Sequence, residues 1–480
     1  MVNTADNFFD NSLQVHHDQV FALFNQIEKL KLTAYPSIEI PNFINELSNV
    51  CSLLLQKFER LSITSYSEIK LYRQTFNDLQ KIVSYISQAN ITNHPMEVMV
   101  PAKELIIKFG DETLFFTQPL WYLNYAIGDV WTNFSNSVNK LFPQLELDSK
   151  KKILIQFPMI HKDDVLLGCV MGHELGHYFD LHSGLNISAS LLPQLLQHEN
   201  VKKLTNYLQM KIVNPALKLD TQVEERLKDD LVVRILGDNH LFNWLKEFVA
   251  DVVGILLYGP ASHFSGDSLF AFSSLSENGQ LVDVYSKSHP RSSLRSIVRM
   301  NTFKKLGYEQ NFDDDIQNSI NISKEKWEKA QVHNSNSFID GNIRDDLVYR
   351  LNLNKDSYEL MELILLDNLD SIIDFILEKI PESLHYHYTT FNEVVPKLSK
   401  KISNFIPPNE LQNQPVDSIS ILNAGWHAYL IYKEKLSDNL AENEQDYNIR
   451  EMINNLVKKA LMSANTHRRW NDASADQSND

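Results

Sequence analysis

At 480 residues and 55.5 kDa the chain is long enough for one large core or for two or three domains. Hydrophobic residues make up 43% and charged residues 22%, the balance of a folded protein rather than a disordered one. The formal net charge of −16 argues against non-specific nucleic-acid binding and against docking on anionic lipid, both of which favour basic surfaces. Two cysteines, Cys51 and Cys169, suit a reducing compartment, and a cytoplasmic location is expected. The first ten residues lack a basic stretch followed by an apolar one, so no signal peptide is expected. No apolar run reaches the roughly 18 residues of a spanning helix.

Residues 11–95 read as about three amphipathic helices. In 13–32, Val20, Leu23, Phe24, Ile27 and Leu30 follow the helical period; after Pro36 and Pro41 come 42–61 and then 68–87. His16 and His17 look exposed on a polar face. Residues 98–142 carry Phe115, Phe116, Trp121, Tyr122, Tyr125, Trp131, Phe134 and Phe142. These aromatics are expected to fill the core, with a substrate-binding wall open for one or two of them. Ile153-Leu154-Ile155-Gln156-Phe157 is a β-branched run ended by Pro158 and predicts a strand. It would either lie at a sheet edge and hold an extended peptide, or only pack the core.

Asp163 and Asp164 offer an N-cap for a helix running to about Leu181, with Ser183-Gly184 as its stop. This helix carries His173-Glu174-Leu175-Gly176-His177. On an α-helix residues i and i+4 share a face, so His173 and His177 can point at one metal ion. Glu174 can then reach a water on that metal without being a ligand. With 16 histidines in the chain, roughly 0.03 accidental matches to this motif are expected. Cys169 lies one turn before the pair and is expected to be a buried small residue rather than a ligand. His182 falls off the face of His177 and is expected to be structural.

Residues 190–236 suggest two helices separated near Asn214-Pro215, the second, 221–236, highly charged and solvated. A helix over 241–258 is closed by Gly259-Pro260. It holds Glu247 and Asp251 one turn apart among Phe248, Val249, Ala250, Val252 and Val253. Two carboxylates on so apolar a helix are costly to bury unless a metal ion and an imidazole N–H neutralise them; a solvated stripe is the alternative. After a Ser/Gly-containing stretch at 262–276, Ser288-His289-Pro290-Arg291-Ser292-Ser293-Leu294-Arg295 opens a helix to about Leu306, with Gly307 as its stop. Taken alone this segment reads as an ordinary capping histidine and a surface arginine. Beyond Gly307 the pattern is helical again, at 356–380, 418–436 and 447–463, with Pro407-Pro408 as a linker and a polar, disordered tail from Asn465.

His173, His177 and Glu247 make two imidazoles and one carboxylate, the set that holds one catalytic Zn²⁺ and leaves a fourth position for water. Asp180 and Ser183 stand where a metzincin needs Gly and His, which excludes that type. There is no Gly-rich phosphate loop and no Gly-x-Ser-x-Gly elbow.

In order and type, His173-Glu-Leu-Gly-His177, Glu247-Phe-Val-Ala-Asp251 and His289-Pro-Arg-Ser-Ser-Leu-Arg295 match an H-E-x-x-H, E-x-x-x-D, H-P-x-x-x-x-R pattern. Over about residues 150–310 the chain resembles the gluzincin metallopeptidases, in the branch that includes the CAAX prenyl proteases and their soluble bacterial relatives. Arg291 stands where many members carry a second proline. The prenyl proteases are membrane proteins, so a prenylated substrate is not carried over to a chain without a spanning helix.

The resemblance implies that His173, His177 and Glu247 bind Zn²⁺ and that Glu174 is the general base and later the proton donor. It also implies that Asp251 orients a ligand histidine and that His289 and Arg295 bind the developing oxyanion or hold the residue that does, with Arg291 as an alternative.

The expected fold is mainly α (α+β), a zincin-like core with a small sheet flanked by helical regions. The expected divisions are 1–95, 96–308 (catalytic), 309–464 and the tail 465–480. The expected function is a zinc metallopeptidase, most simply an endopeptidase, acting on peptides or proteins. The terminal helical regions could recruit a protein partner. The alternative is a helical regulatory protein that keeps the zinc site without turnover.

Overall fold

A computed structural model describes the chain from Thr4 to Gln477, except residues 38, 59–65, 111–112, 148–149, 198, 200, 203–239, 277, 279, 335–336, 345–346, 354 and 439–448. The charged helix expected at 221–236, and the Asn214-Pro215 break before it, lie outside the described residues. The chain is mainly helical with small sheets. It divides into two compact units, residues 1–99 with 110–163 and residues 100–109 with 164–480. This division does not follow the expected boundaries at 95 and 308.

In the first unit, α1 (Thr4–Leu30), α2 (Glu39–Phe58) and α3 (Tyr66–Gln88) each turn one apolar stripe inward. Val20, Ile27, Phe43, Leu47, Leu79 and Val83 belong to a single core that also holds Phe116, Trp131, Phe134 and Leu154. His16 is half-buried rather than exposed, its ring 5.0 Å from Phe76 and 5.7 Å from Tyr72. Helix α4 (Met96–Phe109) follows, its residues from Val100 on belonging to the second unit, and the first unit continues with β1 (Thr113–Leu120), β2 (Ala126–Asp129), α5 (Thr132–Leu141) and β3 (Lys151–Pro158).

The sheet order is β1-β3-β2. Strand β3 pairs in parallel with β1 from Thr113↔Lys151 to Leu120↔Pro158, and antiparallel with β2 from Ala126↔Gln156 to Asp129↔Ile153. The predicted strand is therefore central, and neither of its edges is open to a peptide along Ile153–Gln156. Ile153, Leu154, Ile155 and Phe157 are buried, as a strand with neighbours on both sides requires. Phe115, Phe116, Trp131, Phe134 and Phe142 fill the core as expected, whereas Trp121 and Tyr122 project outward on the β1–β2 connection.

In the second unit, Asp164 caps a 3₁₀ turn at Leu167–Val170 by accepting the Leu167 N–H at 2.9 Å; α6 (Met171–Leu181) starts only after that turn. Next come α7 (Ile187–Leu195) and α8 (Leu241–Tyr258). Gly259, at φ 61°, turns the chain into α9 (Pro260–Ser273), and α10 (Ser292–Lys305) follows. The Ser/Gly-containing stretch after Pro260 is thus mostly helix. Pro at its first position fixes the start, and Ser265 returns its hydroxyl to the Ser262 carbonyl.

The C-terminal part departs from an all-helical pattern. Strand β4 (Val282–Tyr285) pairs in parallel with β5 (Gln331–Asn334), which follows α11 (Asp314–Glu328). Strands β6 (Ser337–Arg344) and β7 (Leu347–Leu353) pair antiparallel, with a register shift between Asn342 and Arg344. Gly341-Asn342 reads locally as a turn but lies within β6 beside that irregularity. The single helix expected at 356–380 is two, α12 (Lys355–Asp367) and α13 (Leu369–Lys379), broken at Asn368, whose amide bonds back to the Ile364 carbonyl.

Helices α14 (Tyr388–Ile402), α15 (Ser418–Ile431), α16 (Lys433–Asp438) and α17 (Ile449–Gln477) complete the unit. The tail expected to be disordered from Asn465 continues α17 instead. It contains neither Gly nor Pro, and Arg468 fastens it to the Val416 carbonyl, the Ser418 hydroxyl and the Glu104 carboxylate. No described helix is long and apolar enough to cross a membrane.

Candidate metal centre

The site is built where α6 lies against α8. Both helices carry small residues one turn apart, Gly172 and Gly176 on α6 and Ala250 and Gly254 on α8. A β-carbon on Gly176 would stand 2.5 Å from the Ala250 Cα, and one on Gly254 would stand 3.1 Å from the His173 nitrogen. The two backbones touch along this seam. The residues beside it, His173 and His177 on one helix and Glu247 and Asp251 on the other, therefore face one another.

All of α8 except Phe242, Asn243 and Lys246 is buried. Glu247 is 7% exposed and Asp251 3% exposed, which rules out a solvated acidic stripe. Their neighbours carry the opposite charge. His173 Nε2 lies 3.3 Å from Glu247 Oε2, and His177 Nε2 lies 3.4 Å from Glu247 Oε1. The far nitrogen of His173, Nδ1, is 3.2 Å from Asp251 Oδ1. Arg295 on α10 donates from Nε to Asp251 Oδ2 at 2.7 Å and from Nη2 to Asp251 Oδ1 at 2.9 Å, and its Nη1 is 3.1 Å from Glu247 Oε2. Arg299, one turn further on, brings Nη1 to 3.6 Å from Asp251 Oδ1. The Phe270 ring lies 4.4 Å from the Arg295 guanidinium and 5.1 Å from that of Arg299.

These contacts set the ionisation of the site. Burial opposes a charge on Glu247, but Arg295 and the two imidazoles outweigh it and hold the carboxyl well below the usual carboxylate range. Burial likewise opposes ionisation of Asp251, and Arg295, Arg299 and His173 overcome it. For His173, burial and Arg295 disfavour the proton, yet Asp251 and Glu247 lift its pKa to about 9. A metal ion bound by His173 would have to displace that proton.

One ligand atom from each of His173, His177 and Glu247 lies within 4.8 Å of the others, so these three residues can hold a metal ion. The two imidazoles meet different oxygens of the one carboxylate, His173 Nε2 facing Oε2 at 3.3 Å and His177 Nε2 facing Oε1 at 3.4 Å. Two imidazole nitrogens and a carboxylate are a donor set that zinc takes. Glu247 Oε2 is buried without a hydrogen bond of good geometry, and its charge is met by Arg295 Nη1 at 3.1 Å and His173 Nε2 at 3.3 Å.

The remaining expected residues are also placed. Glu174 is on α6 at 7% exposure. His289, at the mouth of α10, presents Nε2 3.6 Å from Glu247 Oε1 while its side chain is 59% exposed. Arg295 is 5% exposed, with Asp251, Glu247 and His173 around its guanidinium. Arg291 is turned away to Glu362, which accepts from its Nε at 2.9 Å and also from its Nη2. His182 is the C-cap residue of α6 and is not part of the metal-binding group. Cys169 and Cys51 are buried free thiols, and burial pushes both up, Cys51 to about 12.

Sequence reading missed Arg299 and Glu362. Arg299 had a signal, since it follows Arg295 by four residues on the same helix face. Glu362 had none, being 71 residues from its partner. No protein-family model matches the chain, and no characterised protein or solved structure is significantly similar to it.

Proposed function

We propose that the chain is a zinc metallopeptidase with a gluzincin-type centre, in which His173, His177 and Glu247 hold one Zn²⁺. The observation that carries this reading is the convergence of His173, His177 and Glu247, whose ligand atoms all lie within 4.8 Å of one another, with the two imidazoles one helical turn apart on a single helix. Two nitrogens and one carboxylate suit zinc and leave a fourth position for water or substrate.

Bound Zn²⁺ supplies a Lewis acid and lowers the pKa of water from about 15.7 to about 7. The chain supplies the rest. Glu174, next to His173, takes the proton of the attacking water and later returns it to the leaving amine. Asp251 accepts from His173 Nδ1–H and so fixes the tautomer that leaves Nε2 facing Glu247. Arg295 neutralises Asp251 and Glu247 together. With Arg295 so engaged, His289 is the exposed donor that meets the oxyanion of the substrate.

The test pairs metal content with hydrolysis. Wild type and Glu174→Gln are purified, zinc is measured per chain, and both are incubated with a proteome-derived peptide library read by mass spectrometry. The expected result is equal zinc and a loss of cleavage of about 10²–10⁴-fold in the variant. Undiminished cleavage by Glu174→Gln would overturn the mechanism. Zinc without cleavage by wild type would leave a regulatory protein with a retained metal site.

A further inference from the structure

His289 is the one member of the site carried on a loop, between β4 and α10. Its ring is largely solvent-exposed, and packing does little to fix it. Its Nδ1 is 2.9 Å from the Ser288 hydroxyl. Its backbone N–H donates to Ser286 Oγ at 2.9 Å, and Ser286 Oγ donates back to its carbonyl at 3.0 Å. The ring therefore goes where the loop goes.

The loop is pinned from several directions. Asp283, 1% exposed, accepts the Ser292 N–H at 2.7 Å and the Ser293 N–H at 3.3 Å, satisfying the first turn of α10. Trp244 Nε1 on α8 donates to the Ser286 carbonyl at 2.9 Å. His240 Nδ1 is 3.3 Å from the Lys287 carbonyl oxygen, and Arg291 Nη1 is 3.6 Å from Asp283 Oδ2. A further anchor comes from α12, outside the stretch that carries the three motifs. Glu362 takes the forked pair of bonds from Arg291, two residues after His289, and a third from the Tyr285 hydroxyl at 3.2 Å. The Arg291 guanidinium also lies over the Tyr285 ring, 5.5 Å from its centroid. Glu362 is 8% exposed, so this is not a loose surface ion pair. A buried, forked Arg–carboxylate pair fixes direction as well as distance.

We infer that Glu362 is a positioning residue for His289, acting through Arg291 and Tyr285 to hold the loop so that His289 Nε2 faces the Glu247 edge of the metal centre. Its hydrogen bonds go to Arg291 and Tyr285 and not to a metal-ligand residue. The catalytic consequence rests on the peptidase reading; the placement of His289 does not. A displacement of about 1 Å at a group that meets the transition state costs up to about 100-fold in rate.

Two measurements test this on Glu362→Gln, with Arg291→Lys as a second variant that keeps the charge and loses the fork. The first follows the imidazole resonance of His289, assigned with His289→Ala, in the metal-free full chain. Both variants should shift or broaden it while the resonance of His385, which lies just before α14 with Nε2 3.0 Å from the Ile380 carbonyl oxygen, stays in place. The second is a double-mutant cycle on peptide hydrolysis. Glu362→Gln should lower kcat by about 10- to 100-fold with zinc content and KM unchanged, and should cost nothing further in a His289→Ala background. An unmoved His289 resonance in both variants would overturn the inference. So would an equal loss of hydrolysis with and without His289. If wild type binds zinc and cleaves nothing, the peptidase reading fails and the resonance alone decides the role of Glu362.

Discussion

Gly176 and Ala250 set the distance between the two helices of the candidate metal centre. A β-carbon on Gly176 would lie 2.5 Å from the Ala250 Cα and 2.8 Å from its carbonyl oxygen, and both of these are backbone atoms with nowhere to go. The glycine between His173 and His177 is thus required by packing as well as compatible with the helix. It lets the backbone of α8 come close enough for a carboxylate to reach both imidazoles.

Gly176→Ala should therefore push α6 and α8 apart. We expect a loss of about 1–3 kcal/mol in urea unfolding, the usual cost of overpacking a tight core. Zinc stoichiometry should fall with it, because the 3.3 and 3.4 Å spacings on Glu247 depend on the same approach. Gly184→Ala is the control: its φ of 90° strains a side chain locally, but nothing lies within 4 Å, so metal content should not change.

Arg295→Met should destabilise the metal-free protein by about 3–5 kcal/mol, since it leaves Asp251 and Glu247 buried without their main counter-charge. Added zinc supplies positive charge at the same place. The zinc-induced rise in Tm should accordingly be larger in Arg295→Met than in wild type. An equal rise would mean that the arginine and the metal do not share these carboxylates.

Chelation should lower the stability of the loaded wild-type protein. At free zinc 1,000-fold above Kd, linkage predicts about 4 kcal/mol of stabilisation. His177→Ala should remove most of that difference, leaving a Tm insensitive to EDTA.

His263 on α9 is 1% exposed, and neither ring nitrogen has a hydrogen-bond partner. Burial first, and then Arg299, hold its pKa down, to about 4 from an ordinary 6.5. Between those values the unfolded chain takes up a proton that the folded chain refuses. Stability should fall as pH drops from about 6.5 towards about 4, by roughly 1–3 kcal/mol from this residue. His263→Phe should flatten that part of the stability profile measured by urea unfolding at stepped pH.

Much of the candidate centre was legible without coordinates because it is written in helical periods. His173 and His177 are one turn apart, as are Glu247 and Asp251, and the C-terminal end of α8 followed from Gly259-Pro260. What periodicity could not say was whether Glu247 and Asp251 faced water or each other's counter-charges. That depended on the small residues of α6 and α8 meeting, a relation between segments some 70 residues apart.

The strands were legible only in part. Ile153–Phe157 stood out by its β-branched run, but a strand's composition does not reveal who sits beside it. Pairing with both β1 and β2 made it central. Strands β4 to β7 are short or interrupted by polar and Gly-Asn signals that read locally as turns.

The sequence by itself determined the chemistry on offer: two imidazoles and a carboxylate at spacings that helices convert into one metal-binding face. Only the tertiary structure decided which cations surround that carboxylate, and that Arg295 faces Asp251 while Arg291 faces Glu362. The physical reason is range. A helix fixes neighbours three and four residues apart by its own hydrogen bonds, whereas the partner of a buried charge is chosen by which helices pack, and packing is settled only by the whole core.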